Sequence, residues 1–278
     1  MSDDTTIESK KHAGISRQEQ EDVQQHQKLR APVIYEIISA EGEEELHRPL
    51  VSLWWSGIAA GLCISLSIVA EGLLHRYLPD TPWRPLIENF GYCFGFLIVV
   101  LGRLQLFTEN TITAILPLAK ARSGRSLWLT ARLWGVVFAA NLVGTLLFAF
   151  AAVFVGLFAD DQLAAIVEIS NSLMVKTPWE MLWHSLPAGF LVAAMVWMMP
   201  NAKGSEFWVI VALTYLIALG DFGHVIVGSA EVFILLLIGE IGLTKMFFGF
   251  LLPAFVGNVV GGTILFALMA YAQVKEEL

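Results

Sequence analysis

Six stretches of this chain are apolar for about 20 residues or more, the length a helix needs to cross a hydrocarbon core about 30 Å thick. They run approximately over Leu50–Leu74, Leu86–Ala119, Leu127–Phe158, Trp179–Met199, Phe207–Ile238 and Met246–Ala272. Lipid offers backbone amides no hydrogen-bond partner, so runs of this kind cross as helices, and an all-α membrane protein with six transmembrane helices follows. Charged residues make up 15% of the chain, against about 25% in a soluble domain. The net charge of −8 gathers in the first 48 residues and at the C-terminus, so it describes tails and gives no footprint for nucleic acid.

The segments around the spans divide the chain further. Residues 1–30 are polar and rich in Gln, with no apolar signal core, and are expected to be a disordered tail on the cytoplasmic side. Residues 31–48 place Val33, Ile34, Ile37 and Ile38 at helical spacing beside Glu36 and Glu41, which predicts an amphipathic helix lying on the membrane face. A channel domain then fills 49–273, and 274–278 form a short C-terminal tail. Arg48, Lys120, Arg122, Arg125, Arg132, Lys203 and Lys275 fall in one set of loops. Arg76, Arg84, Lys176 and Lys245 fall in the other, with Asp160, Asp161 and Glu168. The positive bias puts both termini in the cytoplasm. Cys63 and Cys93 sit inside apolar runs with no metal-ligand spacing, and neither a metal nor a cofactor is expected.

The chain repeats itself. Asn141-Leu142-Val143-Gly144-Thr145-Leu146-Leu147-Phe148 in the third span returns as Asn258-Val259-Val260-Gly261-Gly262-Thr263-Ile264-Leu265-Phe266 in the sixth. Each Asn follows a polar interruption in a preceding apolar run, near Thr108 in one half and near His224 in the other, at almost equal distance. Three crossings per half is an odd number, so the second half enters the membrane upside down, and the expectation is a 3+3 inverted repeat. Such repeats put their functional centre where two discontinuous helices meet near the midplane. Here those are spans two and five, broken around Gln105–Asn110 and Gly220–Gly228.

Polar residues at that depth must face inward, because a charge at the bilayer centre costs about 2.5–3.5 kcal/mol. His224 reads as a protonatable pore site and Thr108 as both helix cap and substrate contact. Arg103, Glu109, Asp221 and Glu231 read as a buried ion-pair network that fixes the two breaks against each other. Asn141 and Asn258 read as hydrogen-bonding the broken backbone. Lys176 reads as a snorkelling lysine that could draw anions to an outer vestibule. Gly57, Gly61, Gly135, Gly144, Gly257, Gly261 and Gly262 read as close helix contacts. Ser229, five residues after His224, lacks the context of an intramembrane serine nucleophile, so no enzyme is expected.

Leu106-Phe107-Thr108 at the first break, Asp221-Phe222-Gly223-His224 at the second and the paired Asn-x-x-Gly runs resemble the formate/nitrite transporter family over about residues 46–271. The likeness is greatest to a divergent branch of bacterial inner-membrane proteins with Leu-Phe-Thr-Glu-Asn at the first break. The resemblance implies an aquaporin-like six-helix protomer, a homopentamer with one pore per protomer, and a bacterial inner-membrane location. It also implies that Phe107, Thr108 and His224 face the pore, with apolar constrictions at Tyr92, Phe96 and Ile217. Glu109 and Asn110 replace the small polar residue that follows the Thr in anion transporters. Arg103 and Glu231 add charges, and Gly189 falls where an Asn is common.

Together these readings give a channel or transporter for small monovalent anions of weak acids, with His224 protonating the substrate at the midplane. A pore for small neutral solutes or water is the alternative, though neither break carries Asn-Pro-Ala. A member with altered or lost transport is another.

Overall fold

In the computed structural model, residues 27–121 and 123–277 are described, so the tail expected over the first residues lies mostly outside them, as does Arg122. Every regular element among the described residues is helical. Five helices are long and apolar enough to cross a membrane: α2 (Leu50–Tyr77), α3 (Arg84–Leu101), α6 (Gly124–Val155), α8 (Pro178–Asn201) and α11 (Lys245–Val274). Shorter helices fill the rest: α1 (Ala31–His47), α4 (Asn110–Thr113), α5 (Ile115–Ala121), α7 (Asp160–Leu173), α9 (Glu206–Leu219) and α10 (Val225–Leu237). The apolar run over 207–238 is therefore two helices of 14 and 13 residues, each only about 20 Å long, with non-helical backbone between. The run over 86–119 likewise stops at Leu101 and resumes at Asn110.

Two helix pairs form the frame, α2 against α6 and α8 against α11. Small residues let both pairs approach backbone to backbone. A Cβ on Gly61 would lie 2.3 Å from the Asn141 carbonyl oxygen, and one on Gly144 the same 2.3 Å from that of Ile58. In the second pair, a Cβ on Gly189 would lie 2.2 Å from the Asn258 carbonyl oxygen and one on Gly261 2.1 Å from that of Leu186. An Asn at position 189 therefore has no room in this chain. Gly135, expected among these contacts, has nothing within 4 Å and closes no interface.

The short helices fill the frame. α10 packs on α6, α9 on α3, and every residue from Val225 to Leu235 is buried. α1 buries Ile34, Tyr35 and Ile38 on its protein side and leaves Val33 and Ile37 exposed. The Tyr35 hydroxyl donates to the Leu116 carbonyl at 3.0 Å. Burial, reinforced by Tyr271 and Glu36, pushes that hydroxyl up to about 12, so it remains a donor through the physiological range.

Candidate functional site

The site starts from how two helices end. α3 closes on a Schellman turn in which Leu104 N–H donates to Val99 O at 3.0 Å and Arg103 N–H to Val100 O at 3.1 Å. α9 closes the same way, with Phe222 N–H on Ile217 O at 3.0 Å and Asp221 N–H on Ala218 O at 2.9 Å. Both turns need a left-handed residue, which is Arg103 (φ 51°) in one and Asp221 (φ 50°) in the other. These are the two non-glycine residues with positive φ among the described residues, and each follows a glycine.

Beyond each turn the backbone is extended and carries groups no helix satisfies. One buried asparagine answers them at each break. Asn141 Oδ1 accepts from Phe107 N–H at 2.9 Å, while Nδ2 donates to Gln105 O and Gly57 O, both at 2.8 Å. Asn258 Oδ1 accepts from Val225 N–H at 2.8 Å, while Nδ2 donates to Gly223 O and Ser185 O, again at 2.8 Å. Each asparagine so uses one acceptor and both amide donors, and joins the break to α2 or α8.

Counted from these bonds, the residue held between the two fixed groups is Leu106 at the first break and His224 at the second. Thr108 therefore does not answer to His224 by position, as equal spacing in the sequence had suggested. The two side chains meet instead. Thr108 Oγ1 and His224 Nε2 are 2.8 Å apart, both residues at most 2% exposed, with the Phe96 ring set edge-on to the imidazole at 5.1 Å. The other ring nitrogen is committed: Nδ1 accepts from Val227 N–H at 3.2 Å and caps α10. A nitrogen that accepts this bond carries no proton, so the neutral ring holds its hydrogen on Nε2, toward Thr108.

One cavity reaches this contact and another reaches the residues beside it in the first break. The first, about 400 Å³, reaches His224 past Tyr92 and Ile217 and includes Glu71, Asp221 and Glu231. The second, about 390 Å³, reaches Gln105, Glu109 and Asn110 and includes Arg103 and Glu41. Neither is lined by Phe107. Its ring stacks on Phe255 at 5.2 Å, meets Phe138 and Trp134 edge-on, and lines a separate apolar cavity. The pore-facing role expected for Phe107 thus has no support in its ring contacts. Phe107 contributes its backbone to the break and its ring to aromatic packing.

The ion-pair network expected among Arg103, Glu109, Asp221 and Glu231 does not form. Arg103 is exposed and pairs with Glu41 at 3.6 Å, and Asp221 pairs with Lys176, whose side chain is 12% exposed. The Oε1 of Glu109 is buried without a hydrogen bond, and Glu231 is 7% exposed with no bond or ion pair among the described residues. Asn110 turns inward, donating to Gln105 Oε1 at 3.2 Å. Ser229 donates to Ile226 O at 2.6 Å and lies 2.8 Å from Thr145 Oγ1. Sequence reading overlooked Glu71, near the end of the first apolar run, and its one signal was His75 a turn later.

The chain has known relatives. The family model described as formate/nitrite transporter matches residues 32–272. The chain belongs to the formate/nitrite transporter family. Within the family it is similar to the inner membrane protein YfdC of Escherichia coli (strain K12), at 42% identity over 249 residues, covering 90% of this chain and 80% of that one. It is also similar to the formate channel FocA of Haemophilus influenzae, at 26% identity, covering 78% and 84% of the two chains. Among solved structures, a pentameric formate channel with formate bound matches with a TM-score of 0.71 at 21% identity, covering 82% of this chain and 98% of that one. An FNT family ion channel matches with a TM-score of 0.75 at 17% identity, covering 87% and 98%. At these identities the two structures establish the fold.

Proposed function

We propose that this chain is a channel or transporter for small weak acids of the formate or nitrite type, which pass between the two cavities through the Thr108–His224 contact. The observation that carries the reading is that buried pair, bridging the two breaks at 2.8 Å, with one cavity reaching His224 and another reaching Glu109 and Asn110 just after Thr108. An anion there meets the hydroxyl of Thr108, the Nε2 hydrogen of His224 and the positive end of α10. Stripping water from an anion in an apolar passage is costly unless its charge is paired or neutralised, so passage as the neutral acid is favoured.

The cap bond at Nδ1 narrows the role of His224. If the ring handed its Nε2 proton to the substrate, it would have to take another on Nδ1, and α10 would lose its cap. His224 therefore presents a hydrogen bond at the midplane, while the transferred proton enters from a vestibule.

The same reading takes α3 with α4–α5, and α9 with α10, as the two broken spans of a 3+3 inverted repeat. Both termini are then cytoplasmic, and α1 lies at the membrane face. The apolar residues left outside, among them Trp55, Trp128, Phe154 and Trp208, then face lipid or neighbouring protomers of a homopentamer in a bacterial inner membrane. A pore for small neutral solutes is the second reading, favoured by the carboxyls in both cavities, which oppose a bare anion.

The test is a flux panel in proteoliposomes with formate, nitrite, acetate, lactate, hydrosulfide and glycerol at two external pH values. Weak-acid uptake that rises as external pH falls is expected. Glycerol permeation without acid uptake would replace this reading with the neutral pore, and no flux of any solute would leave a member without transport.

A further inference from the structure

Paired groups account for most of the charge around the His224 cavity. His75 takes Glu88 at 2.9 Å and Glu168 at 3.3 Å, Arg84 takes Glu88 at 3.4 Å, and Lys176 takes Asp221. Two carboxyls in the same cavity are left over. Glu71 on α2 and Glu231 on α10 are 9% and 7% exposed, and neither has a hydrogen bond or ion pair among the described residues. Their helices pack directly on one another, and both carboxyls line the one cavity that reaches His224.

Two largely buried carboxylates in one cavity, where the nearby ammonium of Lys176 is already paired with Asp221, are unfavourable, and the relief is a shared proton or a bound cation. No group of three or more His, Cys, Asp or Glu suited to a metal ion exists among the described residues, which favours the proton. Position gives that proton a use. Glu231 lies about two helical turns after His224, so both fall on one face of α10 and open on one cavity. His224 itself, with Nδ1 capping the helix, is a poor store.

We propose that Glu71 and Glu231 share one proton and form the loading site of the pore, where an entering weak-acid anion collects its proton before it meets His224. The step balances without an oxidant or reductant. The carboxyl O–H bond breaks as the O–H bond of the substrate acid forms, the pair is left as two carboxylates, and a hydronium ion from vestibule water restores the proton. The other carboxyl and imidazole side chains of this cavity are taken: His75 pairs with Glu88 and Glu168, Asp221 with Lys176, and His224 caps α10. The proposal rests on the weak-acid reading above, and two measurements separate them.

The first needs no variant and no transport. A hydrophobic carbodiimide adds only to a protonated carboxyl, so at neutral pH the intact protein should acquire about one adduct per protomer, on Glu71 or Glu231 by peptide mapping. An unmodified pair would overturn the proposal. The second measures formate uptake against external pH for the unmodified protein and for Glu71→Gln/Glu231→Gln. The double variant should fall at least about tenfold near neutral pH and rejoin the unmodified protein at acid pH, where the substrate arrives already protonated. An unchanged pH profile would sink the loading site while leaving the transport reading intact. An adduct on a protein that takes up no formate would uphold the shared proton and remove the transport reading.

Discussion

At the first break the residue held between two asparagine-bonded backbone groups is Leu106, and at the second it is His224. Everything that holds them is alike: a Schellman turn with a left-handed charged residue, an extended stretch, and one buried asparagine with all three bonds made. The difference begins one residue on. His224 caps a 13-residue helix that starts at once, whereas the first break inserts the turn Phe107-Thr108-Glu109 before a helix of four residues. That turn carries Thr108 across to the imidazole. The frame is shared and the chemistry is divided, with the hydroxyl from one break, the imidazole from the other, and the contact supplied by their inequality.

The largest effect should come from the shared part. Asn141→Ala and Asn258→Ala each strip partners from one buried N–H and two buried carbonyls, at about 1–3 kcal/mol apiece. Each variant should therefore lose roughly 3 kcal/mol or more, which in detergent would appear as a collapse of the thermal midpoint or of the yield of folded protein. The two losses should be comparable. A large fall at one break and almost none at the other would end the claim that the frames are equivalent.

Next comes the part that differs. His224→Asn keeps a side chain that caps helices well but removes Nε2 from Thr108. Weak-acid flux should fall at least about tenfold, the equivalent of about 1.4 kcal/mol, while stability stays within about 1 kcal/mol. His224→Ala should lose the flux and, in addition, about 1 kcal/mol of cap. Leu106→Met, at the matching position of the first break, should leave flux within about twofold, since it exchanges apolar side chains of similar volume. Flux equally sensitive at both positions would place the centre in the frame, not in the imidazole.

Much of this was legible in the sequence. The apolar runs and their interruptions mark out the helices, because length and hydropathy alone decide what crosses lipid. Asn141 and Asn258 stand out because their surroundings recur, and the bonds they make recur with them. The register did not follow from spacing. Thr108 and His224 precede their asparagines by similar counts, yet register is fixed by which amide reaches Oδ1, and that is Phe107 in one half and Val225 in the other. Charges misled for a related reason. Arg103 and Asp221 look like partners at one depth, but each ends a different helix and opens on a different cavity, so each found a local partner in Glu41 or Lys176. Glu71 escaped notice because a carboxylate near the end of an apolar run reads as a headgroup-level residue. Only the packing of the surrounding helices shows that it is buried.

The smallest effect tests the left-handed residues themselves. An L-residue in this conformation costs roughly 1–2 kcal/mol, and glycine escapes that strain at an entropic cost of about 0.5–1 kcal/mol. Arg103→Gly gives up only an exposed ion pair with Glu41, worth about 0–1 kcal/mol, so it should be neutral or slightly stabilising, by up to about 1 kcal/mol. Asp221→Gly should go the other way. Aspartate tolerates the left-handed region better than arginine, so less strain is relieved. The change also strands Lys176, whose largely buried ammonium has Asp221 as its ion-pair partner. Thermal midpoints in detergent should therefore rise or hold for Arg103→Gly and fall for Asp221→Gly. Matching shifts would mean that Lys176 finds other solvation, and that the Asp221–Lys176 pair matters no more to the second break than Arg103–Glu41 does to the first.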